Sequence, residues 1–79
     1  MHPDEVKKLL LEAMPDCEVT VNGDGRHFDV TIIGSVFSDL RAVQRQQKVY
    51  AVLNEKIADG AIHAVNMKTY TPDEWQQQA

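Results

Sequence analysis

Two short stretches of strict alternation, joined by a turn-forming loop, limit the folds open to this chain more than any other feature. The first is CEVTVN (17–22) and the second is FDVTIIG (28–34). The apolar residues that share one face are Cys17, Val19 and Val21 in the first, and Phe28, Val30 and Ile32 in the second. NGDGR, between them, is rich in residues that tolerate positive φ. The pattern predicts a β-hairpin with one buried face.

Helical periodicity flanks this hairpin on both sides. Residues 4–14 repeat apolar side chains at i, i+3 and i+4, and Pro15 ends the pattern. Residues 38–58 return to the same period, with Ser38 as the predicted N-cap. A break near Asn54 would divide this segment into two helices, the second capped by Gly60. The predicted buried stripe is Leu40, Val43, Tyr50, Leu53 and Ile57.

A third strand is predicted at 62–70, followed by a short helix. In this stretch the odd positions 61, 63, 65 and 67 share one face, which places His63 in phase with the buried side. TPDEW (71–75) then offers Thr71 as N-cap, Pro72 at the first helical position and Glu74 at the third. That spacing is typical of a capping box.

Three strands and several one-sided helices indicate an α+β fold. We expect a two-layer sandwich, with a three-stranded sheet and the helices on one face, as a single domain over residues 1–79. The chain has no apolar run near the roughly 20 residues that span a bilayer, and no signal-peptide pattern. With its single cysteine, these features predict a cytoplasmic protein that does not bind membranes.

Charge and motif content argue against two functional classes. The formal net charge is −4, from 8 basic and 12 acidic residues, which disfavours tight general binding of nucleic acid. No nucleophile motif, phosphate-binding glycine loop or paired catalytic carboxylates occur, so we expect no enzymatic activity. A local basic strip, Arg41, Arg45 and Lys48, shares one predicted helical face. It is either a solvated face or a docking site for an anion, a nucleic acid or an acidic partner.

The remaining candidates are one cysteine and two histidines. Cys17 occupies an inward strand position, where a free cysteine usually serves as a small apolar residue. His27 follows the hairpin loop and is expected to point outward, either as a plain surface residue or as a metal ligand. His63 is either packed in the sheet or a ligand at the rim. Two imidazoles cannot complete a four-coordinate site, so any metal they bind would be shared with a partner.

Longer stretches of sequence resemble a known family. VNGDGRHFDVTIIGSVF (21–37) and RAVQRQQKVYAVLNEKIADGAIHAVNMKTYTPDEW (41–75) are similar to the BolA family, and within it to the IbaG-like branch. The resemblance implies an α-β-β-α-α-β order like that of a type II KH domain. It also implies a monothiol glutaredoxin as partner and a [2Fe-2S] cluster shared with that protein and glutathione, with no cofactor on the free chain. His63 would be the principal ligand and His27 the second.

The resemblance therefore implies a role in iron–sulfur trafficking, or in iron or stress sensing, for a protein that is monomeric when free. The alternative is a DNA-binding transcriptional regulator that uses the helix at 40–54. Two features weaken this alternative. RQQK (45–48) stands where BolA proper carries an Arg-His-Arg run, and the net charge is −4. The KH-like order does not imply RNA binding either, because the hairpin glycines are spaced G-x-G, whereas the RNA-clamping loop of KH domains is G-x-x-G. Weak DNA binding stays open.

Overall fold

The computed structural model describes residues 1–78 and contains three α-helices, three strands and one 3₁₀ helix. In chain order they are α1 (Pro3–Ala13), β1 (Glu18–Gly23), β2 (His27–Ile33), the 3₁₀ helix (Ser35–Phe37), α2 (Ala42–Ala58), β3 (Ala64–Tyr70) and α3 (Pro72–Gln78). The predicted order held two α-helices between the second and third strands. In the structure a 3₁₀ helix and a single α-helix occupy that interval.

The sheet has the strand order β1-β2-β3 and mixed direction. β1 and β2 are antiparallel and form the predicted hairpin. β2 and β3 are parallel, with His27 opposite Ala64 and Ile33 opposite Tyr70. A parallel pair requires a crossover, and the 3₁₀ helix and α2 supply it. Because β2 and β3 run in the same direction, both begin at the same end of the sheet.

One face of the sheet packs against α1 and α2 and forms the core, which confirms the predicted α+β two-layer arrangement. Alternate residues of β1 and β2 point into this core, as the period of two requires. The buried apolar side chains are Val6, Leu10, Met14, Cys17, Val19, Phe28, Val30, Ile32, Phe37, Val49, Leu53 and Ile62. Among residues 1–78, no helix is both long enough and apolar enough to cross a membrane.

The second helical segment differs from its prediction in start, continuity and phase. Ser38 ends the 3₁₀ helix, and α2 begins only at Ala42 and runs without a break through Asn54. Phe37 explains the late start: its buried side chain anchors the 3₁₀ helix in the core before α2 can begin. Two residues of the predicted stripe lie outside the core, because Val43 is exposed by 63% and Tyr50 by 38%. Leu53 is buried as predicted, Leu40 and Ile57 pack against the core while partly buried, and Val49 is the buried residue that was not predicted.

The ends of the helices follow the sequence more closely. Gly60, just after α2, has φ of 86°, and its N–H donates to the carbonyl of Ile57 at 3.2 Å. This left-handed residue ends the helix, as predicted. At α3 the predicted capping box is confirmed: the Thr71 N–H donates to Glu74 Oε1 at 2.8 Å, and the Glu74 N–H donates to Thr71 Oγ1 at 3.2 Å.

Candidate metal centre

Two histidines meet at the end of the sheet where β2 and β3 begin. His27 is the first residue of β2, and His63 immediately precedes β3. Their ring centroids lie 5.4 Å apart in an edge-to-face arrangement. Both residues are exposed. The structure thus brings together the two histidines that the sequence singled out, on an open surface, while their role as ligands stays a prediction.

His63 is exposed because the alternation of β3 does not extend back to it. The amide N–H groups of His63 and Ala64 both donate to the carbonyl of Arg26, at 3.0 and 3.1 Å. In a regular strand successive amides point in opposite directions, so this shared acceptor interrupts the period of two. Ile62 is buried and His63 turns outward. The prediction that His63 lies in phase with the buried face was therefore wrong.

The hairpin loop that precedes His27 is held by the side chain of Asp24. Its Oδ1 accepts hydrogen bonds from the backbone N–H groups of Arg26 at 3.0 Å and His27 at 2.9 Å. Those two bonds lower the pKa of the Asp24 carboxyl. Gly25 has φ of 98°, a conformation that favours glycine. The second carboxylate oxygen, Oδ2, lies 3.8 Å from Nδ1 of His27.

Asp24 is the residue near this site that the sequence analysis missed. An aspartate three positions before the histidine, followed by glycine, is typical of an Asx turn. The sequence NGDGR carries that signal, which predicts a turn but does not show that the carboxylate lies beside the histidine. Gly23 adds a second constraint, since a Cβ there would overlap the His27 carbonyl oxygen and the Phe28 ring. The chain therefore passes close to itself immediately before the candidate ligand.

The donor set fits part of a metal site rather than a complete one. Within residues 1–78, no group of three or more His, Cys, Asp or Glu side chains is arranged to hold a metal ion. The two exposed imidazoles of His27 and His63 are good donors for iron, zinc or copper when neutral. A histidine pair on one iron of a [2Fe-2S] cluster is established chemistry. Two accessible nitrogens therefore fit such a cluster, provided that another molecule supplies the remaining ligands.

Cys17 lies far from this pair. It immediately precedes β1, whose first residue, Glu18, pairs with Ile33 at the opposite end of β2 from His27. At about 3.3 Å per residue, the seven residues of β2 separate the two ends by roughly 20 Å. Cys17 is buried, and burial, followed by the negative charge of Asp16, raises the pKa of its thiol. The side chain is a core residue, as the inward strand position indicated.

Arg45 occupies a position that the sequence did not predict. Its guanidinium donates from Nε to the Leu40 carbonyl at 3.0 Å, and from Nη1 to Glu74 Oε1 at 2.8 Å and the Thr69 carbonyl at 3.4 Å. It also lies 5.8 Å from the centre of the Phe37 ring. Only 12% of the side chain is exposed. Arg45 therefore joins α2, β3 and α3 within the molecule.

The predicted basic strip needs correction for this reason. Arg41 precedes α2 and is exposed, and Lys48 is exposed on the helix, but Arg45 faces inward between them. The three residues do not share one solvent-exposed face, because Arg45 lies four residues before Val49 and eight before Leu53, on the buried side of α2. A docking role for Arg41 and Lys48 stays a prediction.

The three-stranded sheet and the two helices that cover it correspond to a known class of small domain. A sequence model described as BolA-like protein matches residues 6–74. The chain belongs to the BolA-like family, which confirms the resemblance noted from its sequence. Among curated relatives, the acid stress protein IbaG of Escherichia coli strain K12 is 47% identical over 75 residues, covering 95% of this chain and 89% of the relative.

A more distant relative has a different name. The DNA-binding transcriptional regulator BolA of Haemophilus influenzae is 39% identical over 56 residues, which cover 71% of this chain and 53% of that protein.

Solved structures agree on the fold. A BolA homologue from Coxiella burnetii superposes with a TM-score of 0.83 at 30% identity, covering 96% of this chain and 97% of the other. BolA1 from Arabidopsis thaliana gives 0.80 at 25% identity, covering 91% and 93%.

Proposed function

We propose that this protein is a non-enzymatic partner of a monothiol glutaredoxin, with which it shares a bridging [2Fe-2S] cluster. It would act in iron–sulfur trafficking, or in iron or stress sensing. The observation that carries the proposal is the exposed pair His27 and His63, whose rings lie 5.4 Å apart at one end of the sheet. The class of partner and the type of cluster come from the family resemblance, and the histidine pair is consistent with them.

In this proposal the chain provides two neutral nitrogen donors and leaves the other ligands to glutaredoxin and glutathione. His63 is the principal ligand, as the family resemblance implies, and it is exposed next to the start of β3, with its backbone N–H held by the Arg26 carbonyl. His27 is the second ligand, held by the hairpin loop. When bound, the cluster supplies one-electron redox chemistry, and two imidazoles in place of two thiolates raise its reduction potential.

For the rest of the partner surface we keep only two residues of the predicted basic strip. Arg41 and Lys48 are exposed and able to contact an acidic partner, whereas Arg45 is engaged inside the molecule. We place the protein in the cytoplasm, where thiols are kept reduced, and as a monomer when free. The name of the IbaG relative, an acid stress protein, is consistent with a role in stress responses.

The alternative function, a DNA-binding regulator using the helix at 40–54, is supported by the name of the Haemophilus influenzae relative. The charge of that surface disfavours it. Between residues 40 and 54, Arg41 and Lys48 are the exposed basic residues, because Arg45 is turned inward. Phosphate contacts supply most nonspecific DNA affinity, and two such contacts supply little. A DNA affinity that falls steeply with salt and is lost in Lys48→Ala would favour the regulator.

The direct test is anaerobic reconstitution of a cluster with a monothiol glutaredoxin and glutathione. We expect His63→Ala to abolish or strongly change the visible absorption and circular dichroism of the mixed complex, and His27→Ala to have a smaller effect in the same direction. His2→Asn is the matched control, because it replaces a histidine outside the pair while keeping a side chain able to cap α1. Spectra of His63→Ala identical to those of the wild type would refute the proposal.

A further inference from the structure

We infer that Asp24 is a positioning residue for His27: its carboxylate favours the imidazole tautomer that carries its proton on Nδ1 and so leaves Nε2 as the nitrogen that can bind a metal. The effect on the ring belongs to the free protein. Its consequence for a cluster rests on the function proposed above.

The carboxylate is oriented before any metal binds. Oδ1 accepts the backbone N–H groups of Arg26 and His27, at 3.0 and 2.9 Å, within a loop of three residues. The Asp24 N–H donates in turn to the His27 carbonyl at 3.3 Å. With Oδ1 engaged by two amides, Oδ2 is left to face the imidazole, 3.8 Å from Nδ1.

The chemistry of the two groups selects one tautomer. A neutral imidazole carries one N–H donor and one lone pair, and a carboxylate can only accept. At 3.8 Å the contact is electrostatic rather than a hydrogen bond, but it still favours an N–H on the nitrogen nearest to the negative oxygen. Histidines that bind metals usually donate their other ring N–H to a carboxylate, a carbonyl or a water. The arrangement of Asp24 and His27 matches that pattern.

His2 provides an internal reference, because its contacts favour the opposite tautomer, with the proton on Nε2. Its Nδ1 accepts the backbone N–H of Asp4 at 3.1 Å, so that nitrogen must hold the lone pair and the proton must be on Nε2. A carboxylate oxygen of Asp4 lies near the same nitrogen, at 3.6 Å, but the closer amide donor decides the tautomer. At His27 no such amide reaches Nδ1 among residues 1–78, so the carboxylate determines the preference.

The test is long-range ¹H–¹⁵N NMR of the free, metal-free protein at a pH where the imidazoles are neutral. We expect His27 to show mainly the Nδ1–H form and His2 mainly the Nε2–H form. Asp24→Asn keeps an oxygen for the two loop amides but places an amide donor near the ring. It should therefore shift the His27 population several-fold toward Nε2–H. Asp29→Asn is the matched control, since that carboxylate contacts Asn66 rather than a histidine.

Equal tautomer populations of His27 in the wild type and Asp24→Asn, or mainly the Nε2–H form in the wild type, would overturn the inference.

Reconstitution of the cluster separates this result from the proposed function. Asp24→Asn should hold the cluster about 10-fold less tightly than wild type, in the range known for outer partners of metal ligands. If the tautomer does not shift while His27→Ala still alters the cluster, Asp24 has no positioning role and the proposed function stands. If the tautomer shifts while His27→Ala leaves the cluster unchanged, the role of Asp24 stands and His27 is not a ligand.

Discussion

Arg45 and Glu74 join α2 to α3 through two contacts, Nη1 to Oε1 at 2.8 Å and Nη2 to Oε2 at 3.4 Å. The same carboxylate caps α3 by accepting the Thr71 N–H. Glu74 therefore has a local role at the start of its own helix and a distant one across 29 residues of sequence. The second role fixes the short terminal helix to the body of the domain, close to the end of β3.

Replacement of Arg45 should destabilise the fold. Arg45→Met keeps an apolar stem over Phe37 but removes the donors to Leu40, Thr69 and Glu74. We expect the free energy of unfolding to fall by roughly 1–3 kcal/mol, as measured by urea denaturation. For a domain of this size each kcal/mol corresponds to about 4–8 °C in Tm. Lys48→Met, at an exposed position of the same helix, is the control and should change stability little.

The contact of Glu74 should appear in the pH dependence of stability. The hydrogen bond from Arg45, followed by that from the Thr71 backbone, lowers the pKa of Glu74 from 4.5 to about 2. Because folding lowers the pKa of Glu74, its ionised carboxylate stabilises the fold above pH 4.5. This contribution to the free energy of unfolding is lost as the pH falls from 4.5 toward 2. Glu74→Gln should thus be less stable than wild type at pH 6, with the difference closing near pH 2. A difference in Tm that stays constant over this range would contradict the assignment.

Cys17 should be dispensable for the cluster. Its thiol is buried at the far end of the sheet from His27, and its raised pKa keeps it protonated at neutral pH. Cys17→Ala should leave the spectrum of the reconstituted complex unchanged. Iodoacetamide should alkylate the native thiol much more slowly than the thiol of the urea-unfolded protein. Loss of the cluster in Cys17→Ala would show that this thiol, rather than a histidine, is a ligand.

Gly23 should tolerate no side chain. A Cβ there would overlap the His27 carbonyl oxygen and the Phe28 ring, so Gly23→Ala must shift the start of β2. We expect a loss of roughly 1–3 kcal/mol in the free energy of unfolding, together with changed NMR shifts of the His27 ring. Asn22→Ala, at the neighbouring exposed position, is the comparison. If Gly23→Ala matches Asn22→Ala in both measurements, the close approach at Gly23 does not constrain this loop.

Elements specified by local sequence were predicted well. The hairpin, the capping box of Thr71 and Glu74 and the glycine that ends α2 all follow from neighbouring residues. The start of α2 was not predicted, because the 3₁₀ helix that precedes it is anchored by Phe37. Its inner face was predicted in part, since Leu53 is buried but Val49 was not selected. The contacts of Arg45 with Thr69 and Glu74 were missed because these partners lie 24 and 29 residues away in sequence.

In the candidate site, too, local features could be predicted and features that depend on distant contacts could not. Two histidines could be selected from the sequence, mainly through the family resemblance, but strand parity alone placed them on opposite faces. What brings them to one surface is the paired donation of His63 and Ala64 to Arg26, a contact between segments 37 residues apart. The motif around Asp24 predicts a turn, but the contact of its second carboxylate oxygen with His27 depends on the folded loop.

The carbonyl of Arg26 has a consequence for how this site can vary. This carbonyl lies in the hairpin turn, immediately before His27, and it accepts the backbone N–H of His63. Inserting or deleting a residue in the turn would therefore disturb both rings together, whereas exchanging a side chain at position 27 would alter one donor and leave the scaffold intact. The identity of the second donor can thus be exchanged far more easily than the length of the segment that presents it can be changed.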